Sequence, residues 1–249
     1  SRSSPPSWPA ATAAEMASPP VLVLDLDGTL VDTAADLVAT LNAVLAGEGL
    51  APVPFGDAVA MVGHGARAML GAALGTAGRP AEAERLDRLT RAFIAHYAEH
   101  LADHSRPYPG AAAALDRFAA AGWRLAVCTN MLEGLSRGLL SALGLADRFA
   151  VIAGQDTFAA RKPDPLHLTE TVRAAGGAAD RAVMVGDSVV DIETARAAGI
   201  PVVAVDFGYS AIPVREFGPD AVISGYGDLF VAATSLLGRR GRRSDVIEG

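Results

Sequence analysis

The 249-residue sequence predicts an α/β fold, a doubly wound parallel sheet with a small α-helical cap inserted after the first strand. Two observations carry that expectation. Short apolar runs bounded by turn residues recur at VLVLDL, RLAVCT, FAVIAG, AVMVGD, PVVAVDF and DAVIS, and Ala- and Leu-rich helical stretches separate most of them. This alternation is the βαβ pattern of a parallel sheet with helices on both faces. The second observation is a break in that rhythm. From about Ala34 to His104 no strand pattern is convincing, and ADLVATLNAVLAGEG, FGDAVAMVGHGARAMLGAALG and AEAERLDRLTRAFIAHYAEHLADH read as amphipathic helices. A helical lid over an α/β core can close a site against water.

The elements divide the chain in order. Residues 1–20 are rich in Ser, Pro and Ala and lack the basic start and apolar stretch of a signal peptide, so they read as a disordered leader, with Met16 a candidate natural start. Residues 21–33 and 105–237 make the core, 34–104 the cap, and 238–249 (GRRGRRSDVIEG) a flexible tail. Hydrophobic residues are 51% of the chain, enough for a sizeable core, and the formal net charge is −7. That balance argues against a broad nucleic-acid footprint or an anionic-membrane surface. No run is apolar and long enough to span a bilayer. The single Cys128 excludes an internal disulfide and makes a reducing cytoplasm the default; it reads as a small buried hydrophobe rather than a nucleophile. A monomer or homodimer is expected.

Chemistry collects where strands should end. Ligands of open α/β sheets bind beyond the carboxyl ends of the strands. The first strand ends in Asp25-Leu26-Asp27-Gly28-Thr29, with Asp32 close behind; another ends in Cys128-Thr129-Asn130; a third ends in Gly186-Asp187-Ser188, with Asp191 one helical turn past Asp187. Carboxylates crowded at the end of a buried strand need a cation. Of the 21 basic residues only Lys162, inside RKPDP, is a lysine, so any chemistry needing a side-chain amine falls to it. The set suits phosphoryl transfer, where positioning and charge neutralisation dominate. Asp25 and Asp187 are hard oxygen ligands suited to Mg²⁺. A carboxylate can serve as nucleophile, and a second one two residues on can protonate the leaving oxygen and then activate water. Thr129 offers a hydroxyl to phosphate oxygens, its neighbours offer backbone N–H groups, and Lys162 offers a point charge. Asp164-Pro165 reads as a helix N-cap followed by proline at the first helical position, Ser188 as the cap of the next helix, and Arg161 as a surface or cap-facing residue.

DLDGTLVDT, CTN, RKPDP and GDSVVD, in that order, resemble the motifs of the haloacid dehalogenase superfamily, with the phosphoglycolate phosphatase-like group the nearest match, over essentially Val21 to Leu237. The resemblance implies Asp25 as nucleophile, Asp27 as general acid/base, Thr129 as phosphate ligand and Lys162 as the basic residue. It implies a Mg²⁺ site of Asp25, the Asp27 main-chain carbonyl and Asp187, with Asp191 touching the metal directly or through water. It also implies the helical cap and a small phosphorylated metabolite as partner, with 2-phosphoglycolate the first candidate. Dehalogenases of the family lack an acid at the Asp27 position, and phosphonatases and β-phosphoglucomutase-like members place a lysine in the cap; this cap has none. A phosphomutase and a non-catalytic binding module remain the alternatives. In MVGHGARAML the family's glycine-containing cap segment would bring His64 and Arg67 to the substrate beside Asn130, Arg67 holding a carboxylate in a two-pronged grip. An exposed helix arginine is the competing reading of Arg67. His96, His100 and His104 recur every four residues, a spacing that can bind a transition metal, but no Cys or Glu completes a site.

Overall fold

The computed structural model describes residues 18–63 and 65–247, with side chains through residue 238. Strand β1 (Val21–Leu24) leads to a two-residue strand, β2 (Val31–Asp32). Four helices follow, α1 (Ala34–Gly47), α2 (Phe55–Val59), α3 (Ala66–Thr76) and α4 (Ala83–Glu99). The chain returns through β3 (Arg106–Pro107). Then come α5 (Ala111–Ala120), β4 (Arg124–Cys128), α6 (Glu133–Ala142), β5 (Val151–Ala153), α7 (Pro165–Ala174), β6 (Ala182–Gly186), α8 (Val189–Ala197), β7 (Val202–Val205), β8 (Ala221–Ile223) and α9 (Leu229–Ile247).

Among the described residues the main sheet has the order β5-β4-β1-β6-β7-β8, every pairing parallel. Each of the six apolar runs named above is one of its strands. β1 is central, and the order departs from it in both directions, so the crevice at its carboxyl end is the switch point where ligands bind such sheets. Both faces of β1 are buried: Val21 and Val23 pack among Leu168, Val172 and Ile192, while Leu22 and Leu24 face Leu115, Phe118 and Leu229. That is why the strand reads as a continuous apolar run rather than an alternating one.

The cap joins the core through a narrow neck. β2 and β3 pair antiparallel, Val31 with Pro107 and Asp32 with Arg106. Beside them the buried carboxylate of Asp36, in the first turn of α1, accepts from the backbone N–H groups of His104 and Ser105 and from Ser105 Oγ at 2.6 Å. It ties the first helix of the insertion to the segment by which the chain leaves it. Asp36→Ala strands those donors and is expected to cost about 1–3 kcal/mol, read as a lowered urea midpoint at unchanged slope. An unchanged midpoint would count against this role.

Three stretches differ from the sequence expectation. FGDAVAMVGHGARAMLGAALG is two helices rather than one, because Gly63 (φ 97°) and Gly65 (φ 86°) take positive φ, a region costly for residues with a Cβ. α4 ends at Glu99, so His104 lies beyond the helix. His96 and His100 stack with ring centroids 4.6 Å apart, His100 pairs with Asp103, and His104 is held by its backbone, so the three do not converge. α9 runs through Ile247 where a flexible tail was expected from residue 238; the segment holds no proline, and its arginines are good helix formers. The leader through residue 17, and His64, lie outside the described residues. Among the described residues no helix is long and apolar enough to cross a membrane.

Candidate active site

The four sequence-predicted motifs meet at the carboxyl ends of β1, β4 and β6. Asp25 follows β1, and its Oδ1 accepts the Leu26 N–H at 2.7 Å. Lys162 reaches it from the loop before α7, with Nζ 2.8 Å from Asp25 Oδ1 and 2.6 Å from Asp191 Oδ1. Lys162 and both carboxylates are buried. Asp25, Asp187 and Asp191 each place an oxygen within 4.8 Å of the others.

Three carboxylates around one ammonium leave negative charge in excess, and the titration of Asp25 and Asp187 reflects it. Burial, then the neighbouring Asp191, push Asp25 well above the usual carboxylate range despite Lys162. The same two causes push Asp187 up to about 7. Burial opposes the charge on Lys162, but Asp191 and Asp25 outweigh it and hold the ammonium above the ordinary lysine value. A buried set of hard oxygens that favours protonation over ionisation is one that a divalent cation would relieve. The residues therefore fit such an ion, with Asp25 and Asp187 the best placed. Asp191 is already engaged by Lys162 and by Ser188, whose backbone N–H and hydroxyl it accepts in the capping box that starts α8. The Asp27 carboxylate stands outside this cluster.

Asp27 instead accepts from Thr33 Oγ1 at 2.6 Å, and burial pushes it up to about 6. Asp187 is held by Thr29 Oγ1 (3.2 Å) and by the Tyr209 N–H (2.7 Å). Two glycines permit that approach: a Cβ on Gly28, which also has φ 75°, or on Gly208 would collide with the Asp187 side chain. Thr129 Oγ1 accepts the Met131 N–H, leaving its own proton free to donate. Asn130 Nδ2 donates to the Lys162 carbonyl, joining the second motif to the third, while its buried Oδ1 has no partner among the described residues. The Asp164 side chain caps α7 ahead of Pro165.

The site opens into a cavity of about 270 Å³ between core and cap, with Asp25, Asp27, Thr129 and Asn130 on its floor and Met61, Phe93 and Tyr97 among its cap walls. Arg67 lines it too, but its guanidinium is ion-paired with Asp87 of α4. Several contacts had no clear sequence signal. Tyr209, beyond β7, donates its hydroxyl to Asp32 at 2.7 Å and accepts the Thr33 N–H at 2.6 Å, linking the loop that holds Asp187 to the cap neck. Thr33 was visible only as part of DLDGTLVDT.

Cys128 is fully buried, which pushes its thiol up to about 12. At pH 8, far below that value, almost no thiolate exists, so a disulfide reagent should label the native chain on the order of 10³-fold more slowly than the unfolded one. Equal labelling rates in the two states would contradict this burial.

An α/β sheet with a carboxylate-and-lysine constellation at its switch point, roofed by inserted helices, defines a capped hydrolase. The description "Haloacid dehalogenase-like hydrolase" matches residues 22–205, and the chain belongs to that family. A phosphoglycolate phosphatase of Mesorhizobium japonicum is 54% identical over 220 residues, spanning 88% of this chain and 97% of that protein. One of Caulobacter vibrioides is 47% identical over 216 residues, spanning 87% and 91%. Among solved structures, a predicted phosphoglycolate phosphatase from Haemophilus somnus superposes with a TM-score of 0.79 at 28% identity, covering 85% of this chain and 96% of that one.

Proposed function

We propose that this chain is a Mg²⁺-dependent phosphatase that hydrolyses a small phosphomonoester through an aspartyl-phosphate on Asp25, with 2-phosphoglycolate its substrate. The observation that carries the reading is the ion-paired Asp25–Lys162–Asp191 array, buried at the end of β1 and opening on the cavity under the cap. The names of the relatives at 54% and 47% identity support the choice of ester.

An Asp25 oxygen attacks phosphorus, and the bond from phosphorus to the ester oxygen breaks. Asp27 gives its proton to the leaving alkoxide; a value near 6 keeps part of the population protonated close to neutral pH. Asp27, now ionised, takes a proton from water as that water attacks phosphorus, which frees phosphate and restores Asp25. Thr129 and Lys162 hold the phosphoryl oxygens throughout. Asp25, Asp187 and the Asp27 carbonyl would hold Mg²⁺, with Asp191 at its edge, and the ion would neutralise charge on the transferring group. The cap, residues 34–104, excludes water and encloses the leaving group. It contains no lysine, which weighs against the mutase alternative. A cytoplasmic monomer or homodimer completes the reading, and the single Cys128 agrees with a reducing compartment.

The test is phosphate release from a panel of small phosphomonoesters, 2-phosphoglycolate included, with Mg²⁺ and with a chelator. Turnover that needs the metal and ranks 2-phosphoglycolate first is expected. Release from none of the esters sinks the proposal and turns attention to sugar-phosphate isomerisation.

A further inference from the structure

We infer that Arg161, rather than Arg67, reads a second anionic group on the leaving portion of the substrate, so the site prefers acidic esters over neutral ones of equal size. This rests on the phosphatase reading and narrows it to a substrate class.

Both arginines line the cavity. Their partners differ. Arg67 is ion-paired with Asp87, which lines the same cavity, so the charge it brings is matched on the spot. Arg161 donates from Nη1 to Gln155 Oε1 at 3.2 Å, a neutral amide that orients the guanidinium without cancelling its charge. Among the described residues that line the cavity, Arg161 is the cation set out for a ligand, and a guanidinium matches the flat, two-oxygen geometry of a carboxylate.

Position agrees with charge. Arg161 precedes Lys162, and the two neighbours divide the work. Lys162 is buried against Asp25 and Asp191 at the phosphoryl end, whereas Arg161 is exposed and also borders an open depression with Ala159, Pro163 and Asp164. It therefore stands at the mouth, where the non-phosphoryl end of an ester would lie. The cap meets it there: a Cβ added to Gly65 would lie 3.5 Å from the Asn130 carbonyl oxygen and 3.7 Å from Gln155 Oε1. The cap turn thus rests against the amide that orients Arg161.

The test compares 2-phosphoglycolate with ethyl phosphate, an ester of similar size without the carboxylate. The ratio of their kcat/KM values is expected to fall about 10- to 100-fold in Arg161→Gln, the loss of one charge-assisted contact, and to stay near the wild-type ratio in Arg67→Gln. An unchanged ratio in Arg161→Gln, or a collapse in Arg67→Gln instead, overturns the assignment. Calorimetric Kd values for the same two esters in an Asp25→Asn background, with and without Arg161→Gln, read the same ratio without turnover. If the wild type hydrolyses neither ester the phosphatase reading fails, while those binding data still decide the role of Arg161.

Discussion

Asp25→Asn is expected to abolish phosphate release, by about 10⁵-fold or more, and to leave the fold intact. Loss of a covalent nucleophile removes the path itself rather than trimming its barrier, and the residual rate then comes only from binding and electrostatics. The substitution keeps the shape of the side chain and removes one of three crowded charges. In the native protein burial and Asp191 already press Asp25 toward its neutral form. An amide at this position should therefore cost little stability in chelator, and its thermal midpoint should equal or exceed that of the wild type. Strain held at a functional site for the sake of the reaction shows this signature. Acid quench of the wild type during turnover of a ³²P-labelled ester should leave label on the protein, and none on the variant. A variant with wild-type turnover, or a wild type that never carries label, would falsify the covalent route.

Asp25 is legible in the sequence because its signal is local. An apolar run that ends in Asp25-Leu26-Asp27 is a buried strand that must meet a cation, whatever fold surrounds it. The same holds for Lys162, the one lysine in the chain, and for the six sheet strands, each a short run between turn residues. The unread parts are contacts between distant segments. Tyr209 reaches Asp32 across 177 positions, and Thr29 reaches Asp187 across 158. Neither pairing leaves a trace in spacing or periodicity. Asp36 is an acidic residue in the first turn of a helix, a position that favours the helix dipole whatever else it does; its use as the clamp of the cap neck depends on Ser105 arriving beside it. Arg67 shows the same limit from the cap side. It lies in the cavity as its motif suggested, but Asp87 arrives from another helix and takes up its charge. Charge balance inside a cavity is a property of the assembled walls, so it separates Arg67 from Arg161 only once both are in place.

Lys162→Met is the second substitution with a large effect, and here function and stability fall together. The ammonium is buried between Asp25 and Asp191, and both of those carboxylates are themselves buried. Its removal leaves two desolvated carboxylates facing each other with Asp187 behind them. Breaking a buried ion pair from one side costs about 3–5 kcal/mol, because the partner charge is stranded. In a chain of this size that corresponds to a fall in Tm of roughly 6–20 °C. The loss should be largest in chelator and smaller with Mg²⁺, since the ion would share the same carboxylates. Activity should drop on the order of 10²- to 10³-fold even where the protein is folded, the usual cost of removing one preorganised charge from the transferring group. The double variant Lys162→Met/Asp191→Asn separates the causes. It removes one stranded charge and should recover part of the stability, but not the turnover. A Lys162→Met chain that unfolds at the wild-type urea midpoint, or a double variant less stable than the single one, would mean that the three carboxylates do not repel in the way their burial and spacing require.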